Sequence, residues 1–172
     1  VGIGQSALYS ATSAIYNVAI GQQSLTTTST GGQNVAVGYS TLQYYTGHDA
    51  VAIGSYAGQY ATSGNNISIG SQAGRNYTTG GNNVAIGYVS QVTGQTNTYN
   101  TSIGAYSLRY TTANNNTAVG AYAGGALSSG FSNVFIGRDS GLNQTTASYN
   151  VGVGHSALRN NVLGARNVAV GY

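Results

Sequence analysis

The sequence contains no cysteine and no lysine, and its 172 residues carry only seven charges: Arg75, Arg109, Arg138, Arg159, Arg166, Asp49 and Asp139. Without cysteine there is no disulfide framework and no thiolate metal site, and no metal is expected. Without lysine a Walker-type phosphate loop is excluded; Gly2-x-Gly4 and Gly152-x-Gly154 imitate half of a dinucleotide fingerprint, but no helical pattern follows, so no cofactor is expected. Charged residues make up 4% of the chain, against about 25% in an ordinary soluble domain, so the surface must be built from Ser, Thr, Asn, Gln, Gly and Tyr. The net charge of +3 rests on scattered arginines, far short of the patch that a phosphate backbone requires, and nucleic acid is not an expected partner. Hydrophobic runs are short as well. None approaches the roughly 18 residues of a membrane span, so this segment is not expected to insert into a membrane.

What the chain does have is glycine at a fixed interval. Gly4, Gly21, Gly38, Gly54, Gly70, Gly87, Gly104, Gly120, Gly137, Gly154 and Gly171 follow one another at spacings of 16 or 17 residues. Self-similarity at a constant period signals a solenoid, in which each unit buries its apolar face only against its neighbours. The expected fold is therefore all-β: a parallel β-solenoid, or β-roll, of about ten turns. Residues 1–172 form a single repeat array that opens inside one repeat and closes inside another, as expected for a segment of a longer fibre.

Numbered from each marker glycine, position −1 is always Ile or Val, and −3 is Val or Ile except at Thr101 and Thr117. Alternating β-branched residues describe a strand with one buried face, so −3 and −1 are expected to point into the solenoid. Position −2 is small, with Ala19, Ala36, Ala52, Ala85, Ala118 and Ala169 and one misfit, Phe135. Such a file on the opposite face is expected to be a close contact with a second copy of the chain. The segment after the glycine, with Ala, Ser or Thr at +3 and mostly Leu or Gly at +4, reads as a second, shorter strand. Asparagine at −4 recurs in nine of ten units, as expected of a ladder of stacked amides.

Clustered chemistry is scarce. Asp49 and Asp139 lie about five turns apart by repeat count, which works against paired-carboxylate catalysis, and His48, Asp49 and His155 read as polar turn residues. No catalytic residue is assigned and the chain is not expected to be an enzyme. The informative side chains are aromatic. Tyr44, Tyr45, Tyr60, Tyr77 and Tyr110 gather at +6 and +7, with Arg75 and Arg109 at +5. Together they form one expected outer edge able to stack on sugars or hold a protein partner. The same placement also suits tyrosines that cover apolar ground with their hydroxyls in water.

The strings Asn34-Val-Ala-Val-Gly-Tyr-Ser40, Asn17-Val-Ala-Ile-Gly21, Asn83-Val-Ala-Ile-Gly87 and Asn116-Thr-Ala-Val-Gly120 resemble the head repeats of trimeric autotransporter adhesins. They are also similar to repeats of phage tail fibres and related bacterial surface fibres. The resemblance covers the whole chain, although the unit is longer than the usual adhesin-head repeat. It implies a left-handed β-roll, a homotrimer about one axis, an extracellular, cell-surface or virion location, and attachment to a cell-surface glycan or protein receptor. Two other functions fit a solenoid. An ice-binding surface is suggested by Ser or Thr at +8, though the +9 column is irregular, and a polysaccharide-degrading site would have to use Asp49 or Asp139.

Overall fold

The computed structural model describes residues 1–28 and 30–172; Ser29, one member of the +8 column, lies outside the described residues. Among these residues, eleven short strands each end just before a marker glycine: β1 (Gly2–Ile3), β2 (Val18–Ile20), β3 (Val35–Val37), β4 (Val51–Ile53), β5 (Ile67–Ile69), β6 (Val84–Ile86), β7 (Thr101–Ile103), β8 (Thr117–Val119), β9 (Val134–Ile136), β10 (Val151–Val153) and β11 (Val168–Val170). They form one parallel sheet in chain order. The register equates the repeat columns, with Ala19 opposite Ala36 and Ile20 opposite Val37. Each turn of chain thus lands one strand further along, giving a parallel β-solenoid of about ten turns. At about 4.8 Å per strand the stack is about 50 Å long.

The marker glycine is required twice over. Its φ lies between 122° and 135° along the array, a region that side chains with a Cβ avoid. A Cβ on Gly21 would also sit 2.4 Å from the carbonyl oxygen of Gly38, and one on Gly87 would sit 2.6 Å from that of Gly104. Glycine stacks on glycine because nothing larger fits.

The leg after the glycine is not a second strand. Positions +2 and +4 both take left-handed backbone, as at Tyr106 (φ 60°) and Leu108 (φ 43°), and no strand is assigned there among the described residues. Each such non-glycine residue costs on the order of 1 kcal/mol. Bonds between turns offset the cost: the Leu25 N–H donates to the Thr41 carbonyl at 3.1 Å, that of Gly58 to Ala73 at 2.9 Å, and that of Leu108 to Ala123 at 3.0 Å.

The strand faces are reversed from the sequence expectation. Ala19, Ala36, Ala52, Ala85 and Ala118 at −2 are fully buried inside the chain's own coil, and Ala169 in the terminal β11 is half-buried. They cannot be the contact between copies. The interior is too narrow for β-branched residues: a Cβ on Gly2 would already lie 3.4 Å from the Ala7 carbonyl oxygen and 3.5 Å from Leu8 Cδ1 across the coil. Alanine at −2 therefore faces leucine at +4, with Leu25, Leu42 and Leu108 buried beside Ala57, Ala73 and Ala123 at +3.

Volume is balanced between columns. Phe135, large at −2, occupies the space left by glycine at +4: an added Cβ would lie 3.0 Å from its ring at Gly124 and 2.5 Å from it at Gly141. Tyr77 fills the corresponding gap at Gly74. The apolar core falls into two clusters, one from Ala19 to Ala85 and one from Leu108 to Phe135. Between them lies a polar waist where Ser90, Ser102 and Ser107 share hydroxyl contacts of 2.7–3.2 Å and Gln91 stands where leucine stands elsewhere.

Candidate functional site

Asparagine at −4 precedes every strand from β2 onward except β4, and its role is internal. Its Oδ1 accepts the backbone N–H at the same column of the next turn, as from Asn34 to Asn17 (2.9 Å), Asn100 to Asn83 (3.0 Å) and Asn133 to Asn116 (3.0 Å). Its Nδ2 donates to a carbonyl in that turn, as from Asn83 to Asn97 (2.9 Å) and Asn116 to Gly130 (3.0 Å). The amides bridge backbones more than they stack on one another. All the ladder amides from Asn34 to Asn150 are buried, so the column is occupied by structure and offers no ligand contact.

Position −4, just before the strand, faces in, and alternation then sends −3 and −1 outward. Ile20, Ile53, Ile67, Ile103 and Ile136 are exposed, and Val35, Val51, Ile86 and Val119 half-buried. Two parallel columns of Val, Ile and Thr run the length of the sheet. About 50 Å long and about 10 Å wide, this face covers on the order of 500 Å², the upper end of what a monomer exposes as one apolar patch.

The tyrosine edge divides by column. Position +6 points out and +7 points in, so that Tyr44 is 43% exposed while its neighbour Tyr45 is fully buried. Tyr77, also at +7, is buried too, and neither Tyr45 nor Tyr77 is available as a ligand contact. The Tyr45 hydroxyl donates to the His48 carbonyl at 2.8 Å; burial, and then the Asp49 charge, push its pKa well up. Burial alone raises that of Tyr77, whose hydroxyl has no partner.

Tyr44, Tyr60, Arg75, Arg109 and Tyr110 do reach the outer surface, in two clusters. In the first, Tyr44 and Tyr60 stack with centroids 5.3 Å apart, and the Arg75 guanidinium lies 5.0 Å from the Tyr56 ring and 5.6 Å from the Tyr60 ring. Arg75 Nε donates to Gln59 (2.9 Å), whose amide donates in turn to Gln43 (2.8 Å). In the second, Tyr106 and Tyr122 stack at 5.0 Å and Arg109 lies 5.2 Å from Tyr106 and 4.8 Å from Tyr110. The +2 residues Tyr56, Tyr106 and Tyr122 were not among the residues expected at this edge. With left-handed backbone at +2, Tyr56 faces Arg75 and Tyr106 faces Arg109, and Tyr122 stacks on Tyr106, a geometry that column spacing did not disclose.

The remaining candidates are dispersed. His48 Nδ1 accepts the Gly32 N–H at 3.0 Å, Asp139 sits 3.6 Å from Arg138, and among the described residues no three His, Cys, Asp or Glu side chains gather as a metal site would require. The +8 hydroxyls bond along the stack: Thr62 donates to the Thr78 carbonyl, Thr78 to Gln95 (3.0 Å) and Thr112 to Ser128 (3.2 Å).

The architecture defines the class, a β-solenoid. Compared with known proteins, the chain matches no family model, no curated protein and no solved structure.

Proposed function

We propose that the chain is a non-enzymatic segment of an extracellular, cell-surface or virion fibre, in which three copies associate through their Val/Ile faces and present a rigid, nearly uncharged surface for attachment. The observation that carries this reading is the apolar face itself: two continuous β-branched columns outside the coil of a chain with only seven charged residues. A parallel sheet is ordinarily covered on both sides. Here one side is covered by the coil, and a second copy with the same repeat length is the cover that matches it turn for turn. The face is only two residues wide, so a facing pair leaves its flanks wet, whereas three copies around an axis close on one shared core. The resemblance of the repeats to trimeric adhesin and tail-fibre repeats supports the same arrangement, and with it the left-handed coil.

Sedimentation equilibrium tests the proposal. A mass about three times 17.4 kDa is expected for the wild type, and a mass near one chain for Ile53→Asp combined with Ile86→Asp. A monomeric wild type overturns it.

A further inference from the structure

The two tyrosine–arginine clusters share a plan but differ in one turn. Along column +5 the first runs Gln43, Gln59, Arg75, and the glutamines occupy Arg75 Nε. The second runs Val92, Arg109, Gly125, Leu142. Valine accepts no hydrogen bond, and Arg109 Nε is buried without a partner. The carboxylate two repeats on, Asp139, lies beside Arg138 instead. At Gly125-Ala126 both +5 and +6 shrink at once, which happens in no other turn. Beside them lies a cavity of about 140 Å³ lined by Tyr106, Arg109, Tyr110, Tyr122, Gly125, Ala126 and Leu142. Its backbone is already engaged, since the Gly125 N–H donates to Tyr122 and the Ala126 N–H to Leu142, each at 3.0 Å.

The notch therefore offers aromatic and aliphatic walls, two of them the exposed tyrosines Tyr110 and Tyr122, and a guanidinium that already has two ring faces but no anion. A guest that completes it is one ring in size, has an apolar C–H face for the tyrosines, and brings hydroxyls and a carboxylate. We propose that the Gly125-Ala126 notch binds one acidic pyranose, a uronic or sialic acid unit of a surface polysaccharide. The sugar ring lies against the tyrosines and its carboxylate meets Arg109. The inference rests on the reading of this surface as one of attachment, but the site lies within a single chain.

Glucuronic acid, N-acetylneuraminic acid and glucose, titrated into the protein while tyrosine ring resonances and saturation transfer to the sugar are followed by NMR, provide the test. Saturable binding of either acid in the millimolar range is expected, with glucose about tenfold weaker. Arg109→Gln should bring the acid down to the level of glucose; glutamine already occupies this column at positions 43 and 59, so the variant is compatible with the fold. Ala126→Leu should abolish binding of all three, and its melting curve reports whether it has folded. Glucose binding as well as the acids, unchanged acid binding in Arg109→Gln, absence of saturation, or preference for N-acetyltyrosinamide, which points to a protein receptor, overturns the proposal. The sedimentation mass of the same sample separates the two readings: a trimer without sugar binding removes only the notch, and a monomer that binds the acid removes only the assembly.

Discussion

Tyr44 and Tyr45 are adjacent in sequence and opposite in circumstance, and so are Ala85 and Ile86. In each pair one residue lines the coil and the other looks out. The lining is small or closely complemented, as Phe135 is by Gly124 and Gly141, because the coil is narrow where −2 faces +4. The outer surface carries the greater apolar bulk at the strands and yet accepts variation, from Val to Ile to Thr. In this solenoid, close fit marks the inside and β-branched bulk marks the outer face of the strands.

That contrast is sharpest under substitution. Ala85→Asp is expected to break the stack, because a carboxylate without a partner in the lining costs about 4 kcal/mol, about 10 °C in Tm; circular dichroism melts check it. Ile86→Asp, one residue on, should leave the melting of the isolated chain within about 1 kcal/mol while weakening association in sedimentation. Equal melting losses in both variants would abolish the distinction between the faces.

Smaller effects follow at the tyrosines. The folded pKa of Tyr77 is raised by burial, so the folded state holds its proton. The stability associated with this group is complete below the unfolded tyrosine value of about 10 and falls as pH rises beyond it. Tyr77→Phe is expected to gain about 1 kcal/mol near neutrality by removing an unpartnered buried hydroxyl, and to lose less stability than wild type above pH about 10. Denaturant titrations at pH 7 and 11 measure both. Tyr44→Ala, which removes an exposed stacking partner of Tyr60, should cost only about 0.5 kcal/mol in the same assay.

Much of the fold was legible because the period varies by only one residue. Marker glycines, strand positions and parallel register follow from counting, and the asparagine ladder from its column. The orientation of the strand was not legible, since alternation separates two faces without saying which is enclosed. The usual guide, that β-branched residues go inside, fails when the enclosed column takes mostly alanine, serine or glycine. The second leg was misread as a strand because its Leu and Ala pattern is set by left-handed turns at +2 and +4, where Leu8, Leu25, Leu42, Leu108 and Leu158 adopt a backbone that propensity assigns to glycine. The candidate site was legible in half: +5 and +6 hold outward Arg75, Arg109, Tyr44, Tyr60 and Tyr110, but one step further the chain has turned inward.

The sequence by itself determined that this protein is a coil of nearly equal turns with few charges, because a regular spacing of glycine and β-branched residues allows identical columns to pair and little else. Only the tertiary structure decided which column is the lining, which tyrosines reach solvent and that Gly125-Ala126 opens a notch beside Arg109. Those properties depend on the width of the coil and on what the adjacent turns contribute at each level, and neither is written in any single repeat.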